Sequence, residues 1–190
     1  MGNRLSKIVT RTGDAGTTGL GDGSRIGKDS LRIDVIGEVD ELNSTLGVLL
    51  AEDLPEAVRT ALTGIQHDLF DLGGEICMPG YTVISEAQVL HLETLVGEFN
   101  AQLTPLKEFI LPGGTRAAAL AHLVRSVSRR VERQLVRLAN AEGVPEMTRK
   151  YMNRLSDLMF ILGRVLNQAG GRGDVLWVNA KQRSATPAAE

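Results

Sequence analysis

Cysteine occurs once, as Cys77, so no disulfide can form within the chain. It sits in an apolar segment and reads as a small buried hydrophobe rather than a reactive thiol. The three histidines, His67, His91 and His122, are scattered, and no HxxxH or CxxC spacing occurs. Nothing in that pattern argues for a zinc site. Aromatics make up only 4% of the residues, so Leu, Val, Ile and Ala must fill the core that a 43% hydrophobic content allows. A net charge of −2 argues against a surface that is basic throughout, the footprint of a nucleic-acid binder, so any anion site must come from local clustering. No apolar run approaches the roughly 18 residues that span a bilayer. The first residues lack the apolar stretch of a signal peptide. MGNRLS matches a myristoylation pattern, but that pattern is permissive and nothing else points to a membrane. The expectation is a soluble protein of the cytoplasm, or of an organelle matrix after loss of a transit peptide, with no nucleic acid and no membrane as partner.

What the chain does contain is helical pattern, and 190 residues fit a single domain over 1–180. Residues 1–30 are the exception. Gly13, Gly16, Gly19, Gly21, Gly23 and Gly27 stand there among small polar residues, and no helical period survives them. That stretch reads as a glycine-rich loop that orders on binding. Over 31–170 the spacing predicts helices at about 31–52, 55–77, 85–103, 115–141 and 145–169. Pro55 and Pro145 open two of them, Ser85 with Gln88 forms a capping-box pattern, and Gly143 and Gly170 close the last two. Short connections imply an all-α, antiparallel five-helix bundle. Residues 175–178 read as a short strand or extended tail, and 181–190 as a disordered one.

The helix at 115–141 carries the most chemistry. Val124, Val127, Val131, Leu135 and Leu138 form its apolar stripe, while Arg125, Arg129, Arg133 and Arg137 recur every fourth residue on the opposite face, with Arg130 to one side. Like charges at that spacing oppose each other by about 0.2–0.5 kcal/mol per pair. Only Glu132 and Glu142 offer relief nearby. Such a face is either solvated, paired with acids of a neighbouring helix or subunit, or a polyanion site, for which the guanidinium fork is suited. The loop TRTGDAGTTGLGDGSRIGK at 10–28 favours the polyanion site. Its glycines let backbone N–H groups approach phosphate, Thr10, Thr12, Thr17 and Thr18 can donate to phosphate or ligate magnesium, and Lys28 adds a point charge. It is not a Walker loop, since Asp22 and Asp29 stand where that motif needs Gly and Ser or Thr. In GEVDELN at 37–43, Asn43 falls near the apolar stripe and needs partners across helices, and Asp40 is placed to pair with an arginine of 115–141. Asn153 and Asp157 share the polar face of the last helix. Phe109, read from the residues alone, is a core residue plugging the bundle end. A di-iron bundle lacks its ExxH pairs, and a noncatalytic scaffold remains the other alternative.

TRTGDAGTTGL at 10–20, GEVDELNS at 37–44, FILPGG at 109–114, RSVSRRVER at 125–133 and YMNRLSD at 151–157 together resemble the PduO-type ATP:corrinoid adenosyltransferases, in family order from residue 10 to about 168. The resemblance implies a five-helix bundle assembling as a homotrimer, with ATP between the loop of one subunit and the arginine helix of the next. Position by position, it implies ATP contacts at Thr10, Arg11, Thr12, Gly13, Thr18, Gly19, Lys28, Arg129, Arg130, Val131, Glu132, Arg133 and Asn153. It also implies an intersubunit ion pair of Arg125 with Asp40. Mg2+ would sit on the phosphates, assisted by Glu132 directly or through water. Phe109 matches the aromatic below the corrin ring that displaces the lower nitrogen ligand and leaves cobalt(II) four-coordinate. Arg125, Arg129, Asp40 and Phe109 would then be the catalytic set. The implied reaction is attack of cob(I)alamin on the 5′ carbon of ATP, giving adenosylcobalamin and triphosphate. Implied partners are a flavin reductase and an adenosylcobalamin-dependent mutase, and an ATP-gated carrier serving that mutase is the alternative role. Ala15 departs from the lysine many relatives carry, and nothing past about Arg172 matches a motif.

Overall fold

The structure, a computed structural model, describes residues 8–185, so the MGNRLS opening lies outside the described residues. The glycine-rich stretch is more ordered than expected. Strands β1 (Thr17–Gly19) and β2 (Arg25–Gly27) pair antiparallel, with Thr18 opposite Ile26. The intervening turn closes itself. Asp22 Oδ1 accepts from the Ser24 N–H at 2.9 Å and from its Oγ at 2.6 Å, and Gly23 takes a φ of +85° that side chains avoid.

Helices α1 (Leu31–Leu50), α2 (Glu56–Cys77), α3 (Glu86–Asn100), α4 (Arg116–Ala141) and α5 (Glu146–Ala169) follow the predicted ranges, with small differences at their ends. Pro55 and Pro145 sit one residue before the helices they introduce. Gln88 Oε1 accepts from the Ser85 N–H at 2.8 Å, and Thr115 Oγ1 accepts from the Ala118 N–H at 3.1 Å to cap α4. A sixth helix, α6 (Ala180–Ala185), corrects the disordered reading of 181–190 as far as residue 185. Its cause is local. Asn179 Oδ1 accepts from the Gln182 N–H at 3.0 Å and Gln182 Oε1 accepts from the Asn179 N–H at 3.3 Å, a reciprocal cap.

Packing runs α2 on α1, α1 on α4, α4 on α5 and α5 on α3. Leu42, Leu46, Leu62, Leu69, Leu135 and Tyr151 are among the fully buried side chains. Ion pairs mark the antiparallel course of α1 and α4. Arg32 meets Glu142 at 2.7 Å at one end, and Arg116 meets Glu52 at 2.6 Å at the other. Buried Glu75 is satisfied by the N–H groups of Val83 and Ile84 and by Thr148 Oγ1, which ties the α2–α3 loop to α5. Residues 175–177 form a ribbon with 109–111. Leu111 N–H donates to Val175 O at 2.8 Å and Trp177 N–H to Phe109 O at 2.7 Å, so the extended reading of 175–178 holds. Among the described residues, no helix is long and apolar enough to cross a membrane.

Candidate functional site

Helix α4 buries its valine and leucine stripe and leaves Arg129, Arg133 and Arg137 exposed. Among the described residues, none of these three has an ion-pair partner. The acids expected to relieve the row are engaged elsewhere. Glu142 holds Arg32, and Glu132 Oε1 accepts from Asn153 Nδ2 at 2.9 Å. Arg130 is the arginine that α1 neutralises. Its Nε donates to Glu38 Oε2 at 2.5 Å and its Nη2 to Glu41, and these bonds raise its pKa. Glu38 and Glu41, three residues apart on α1, take the place expected for Asp40. Asp40 is exposed and makes no ion pair among the described residues. Arg125 is half-buried, and its buried Nε has no acceptor among the described residues. Burial, then the neighbouring Arg129 charge, pulls its pKa down. The guanidinium is therefore a partly desolvated cation without an ion-pair partner among the described residues.

Arg129, Glu132, Arg133 and Val136 line a hollow of about 330 Å3. Asn153 reaches its edge through Glu132 and accepts from Arg154 Nη1 at 2.6 Å on its other side. Val131 is fully buried on the apolar stripe, so its side chain faces the core and a nucleotide could meet it only through its backbone. No three His, Cys, Asp or Glu side chains gather into a metal cage among the described residues. A magnesium ion on a polyphosphate needs one or two carboxylates besides the phosphate oxygens. Glu132, beside two guanidiniums and with one oxygen engaged by Asn153, fits that need.

The arm is organised by a residue that the sequence reading passed over. Arg25 Nη2 donates to Thr12 O at 2.7 Å, Thr17 O at 3.1 Å and Thr17 Oγ1 at 2.8 Å, gathering the threonine-rich turn. Lys28 crosses Gly13 so closely that a Cβ on that glycine would lie 3.0 Å from Lys28 Nζ. Thr10 and Thr12 share a hydroxyl–hydroxyl bond of 3.0 Å. Arg11 between them has a φ of +60°, a strained conformation of the kind that gathers at ligand sites. Thr18 and Gly19 lie on β1. The structure thus brings Thr10, Arg11, Thr12, Gly13 and Lys28 together. The arm is rooted at the end of α2, where Gly21 N–H donates to Cys77 O at 2.9 Å and a Cβ on Gly21 would meet Met78 Cγ at 2.2 Å.

Phe109 is 77% exposed and not a core plug. Its backbone is held in the ribbon, so the ring is free to meet a ligand. The arm is rooted at the C-terminal end of α4 and Phe109 at the N-terminal end. That helix has 26 residues, about 39 Å at 1.5 Å per residue. Between α1 and α2 lies a third feature, a cleft of about 690 Å3 whose lining includes Asp40, Asn43, Phe70, Cys77 and Tyr81. Asn43 makes the expected cross-helix bonds: its Nδ2 donates to Gln66 O at 3.2 Å, and Gln66 Nε2 donates to Asn43 O at 3.3 Å. Cys77 is half-buried against this cleft rather than buried in the core. Phe70, 76% exposed, was also passed over. The signal was available, because it stands off the stripe that Leu62, Ile65, Leu69 and Leu72 define.

The cobalamin adenosyltransferase family profile matches residues 8–166. A cobalamin adenosyltransferase of Cupriavidus metallidurans is 64% identical over 96% of this chain and 100% of its own length. A corrinoid adenosyltransferase of Bacillus subtilis is 44% identical over 89% of this chain and 91% of its own. Among solved structures, a variant PduO-type ATP:corrinoid adenosyltransferase from Lactobacillus reuteri, complexed with cobalamin and ATP, superposes with a TM-score of 0.86 at 31% identity, covering 91% of this chain and 100% of that one.

Proposed function

The chain belongs to the cobalamin adenosyltransferase family, and from that premise we propose how its own residues carry the reaction. The protein is an ATP:corrinoid adenosyltransferase that moves the 5′-deoxyadenosyl group of ATP to cob(I)alamin, giving adenosylcobalamin and triphosphate. The observation that carries our reading of the site is the exposed guanidinium row of Arg129 and Arg133 beside Glu132, which no acid pairs among the described residues. A triphosphate leaving group develops charge as the carbon–oxygen bond breaks, and fixed cations stabilise it without reorganising. Arg129 and Arg133 hold the phosphates, with Arg130 alongside. Lys28 and the backbone of Thr10, Arg11, Thr12 and Gly13 close over them from the arm, with Thr18, Gly19 and Asn153 at the edges. Mg2+ bound through Glu132 and the phosphates would add further charge neutralisation. The nucleophile is the reduced cobalt of the substrate, so the protein's share is placement and electrostatics.

The arm and Phe109 are rooted at opposite ends of one bundle, which supports a site shared between chains. We assign the assembly as a homotrimer in which the arm of one subunit covers the arginine row of the next. Asp40 of one chain then supplies the acceptor that the half-buried Arg125 of its neighbour lacks. The exposed ring of Phe109 meets the lower face of the corrin and displaces the nitrogen ligand there, which eases reduction of cobalt(II). A flavin reductase as electron donor and an adenosylcobalamin-dependent mutase as recipient suit this chemistry.

An anaerobic assay with ATP, magnesium and cob(I)alamin tests the reading. Adenosylcobalamin with inorganic triphosphate is expected, and ADP or AMP with diphosphate as the co-product would overturn it.

A further inference from the structure

The C-terminal segment beyond α5 matched no motif, yet the structure ties it to the most exposed aromatic of the chain. The tie runs through Arg164. This arginine lies on α5 and is only 5% exposed. Its Nε donates to Asp174 Oδ2 at 2.7 Å, ten residues later in the chain. Its Nη2 donates to Thr104 O at 2.8 Å, in the loop that leads to Phe109. One guanidinium therefore grips the approach to Phe109 with one arm and the returning tail with the other. Beyond these grips the two segments meet as the ribbon of 109–111 with 175–177.

Asn167, one turn further along α5, repeats the device. Its Oδ1 accepts from Thr115 N–H at 2.9 Å and its Nδ2 donates to Gly113 O at 3.0 Å, while its backbone O accepts from Arg172 N–H at 2.8 Å. The chain can fold back so sharply because Gly171 takes a φ of +68° after the helix ends at Gly170. Burying an ion pair costs desolvation that attraction alone barely offsets, so such pairs are better at fixing geometry than at adding stability. A planar fork with five fixed donors holds two acceptors at a set angle, which an ammonium cannot do.

We propose that Arg164 is a positioning residue for the reaction: by binding Thr104 and Asp174 at once it sets the ribbon that presents Phe109. This rests on the reading of Phe109 as the group beneath the corrin. A ring that must occupy the place of a departing ligand has to be delivered with little freedom, and nothing in the core holds Phe109 itself.

The chain has a single tryptophan, Trp177, and it sits in this ribbon, so its fluorescence reports the clamp directly. Two variants separate the causes. D174N weakens the buried pair, and L111P removes the exposed ribbon's Leu111 N–H bond without touching the core. In both, acrylamide quenching of Trp177 should rise while helical circular dichroism and ATP affinity stay at parent values. Adenosylation starting from cobalt(II) should slow by about tenfold or more, and that from pre-reduced cobalt(I) much less, as expected for misplacement of a group by a fraction of an ångström or more. The cobalt(II) resonance spectrum with ATP bound should show the nitrogen splitting of the lower ligand returning. Unchanged Trp177 quenching in folded D174N, or equal losses in the two assays, would overturn the proposal; if D174N does not fold, Arg164→Lys, which keeps the charge but loses the two-way fork, decides by the same readings. Phe109→Ala serves as the reference. If that variant shows no selective loss from cobalt(II), the reading of Phe109 fails, while the Trp177 measurement still decides whether Arg164 holds the ribbon.

Discussion

At the scale of single residues, two unpartnered groups on α4 have opposite meanings. Arg129 is exposed and has no ion pair among the described residues, and an arginine kept free of acids can bind a phosphate without first breaking a bond. Charge-assisted hydrogen bonds contribute about 1.5–3 kcal/mol, so Arg129→Ala should weaken ATP binding roughly ten- to hundredfold. The same change should leave the melting temperature nearly unmoved, because it removes an exposed side chain from a helix surface. Calorimetric titration with thermal melts checks both, and intact affinity would show that the row does not hold phosphate. His122, by contrast, is 3% exposed, and neither ring nitrogen has a hydrogen-bond partner among the described residues. Burial, and then Arg125, lower its pKa from 6.5, with Asp174 opposing. The unfolded histidine takes a proton near pH 6.5 and the folded one only at lower pH. Between those points the unfolded state binds more protons, so stability falls as the solution is acidified below that pH. His122→Leu should remove this part of the slope. A denaturation midpoint with the same pH dependence in parent and variant would show that His122 does not carry it.

At the scale of elements, the arm behaves as a docked hairpin rather than a free loop. Gly21 is its point of attachment, and any side chain there meets Met78. Gly21→Ala should therefore lift the arm from α2, lower ATP affinity and leave the bundle's melting transition in place, since the contact lies outside the core. Faster proteolysis between residues 10 and 28, with helical signal retained, is the expected signature; an arm as protected as the parent's would count against docking. The five long helices were legible in the sequence because each buries one stripe and each start carries a cap or a proline, signals that act within a turn or two. The hairpin was not, because Arg25 and the Asp22–Ser24 turn act through side-chain bonds that leave no periodic trace. For the same reason the sequence points to Asp40 as the acid of α1 that meets an α4 arginine, whereas Glu38 and Glu41 hold Arg130. Whether Glu38, Asp40 or Glu41 faces α4 depends on rotating α1 by a single residue step, about 100°, and only packing decides that. Val131 is the opposite case, a motif position whose side chain the apolar period already puts in the core.

At the scale of the whole molecule, the separation of parts is the informative fact. Arg32 with Glu142 and Arg116 with Glu52 set the two ends of the α1–α4 pair, and the arm and the Phe109 ribbon are rooted one at each end. Arg133 stands nine residues before Glu142, about 14 Å along the axis. The closed ring of three chains that we propose would bring the arm of each onto the arginine row of the next, and this arrangement makes a strong demand. A variant with a dead arm, Lys28→Ala combined with Thr12→Ala, and a variant with a dead row, Arg129→Ala, each lack every complete site as pure trimers. When mixed and allowed to exchange subunits, every mixed trimer regains one intact site of its three, formed by the good arm of one variant on the good row of the other. Random exchange of equal amounts makes about three quarters of the trimers mixed, so activity should recover to roughly a quarter of the parent's in a heterologous ring. If arm and row of the same chain formed the site, mixing would restore nothing. Subunit mixing thus tests the shared site without depending on which residue of the arm contributes most.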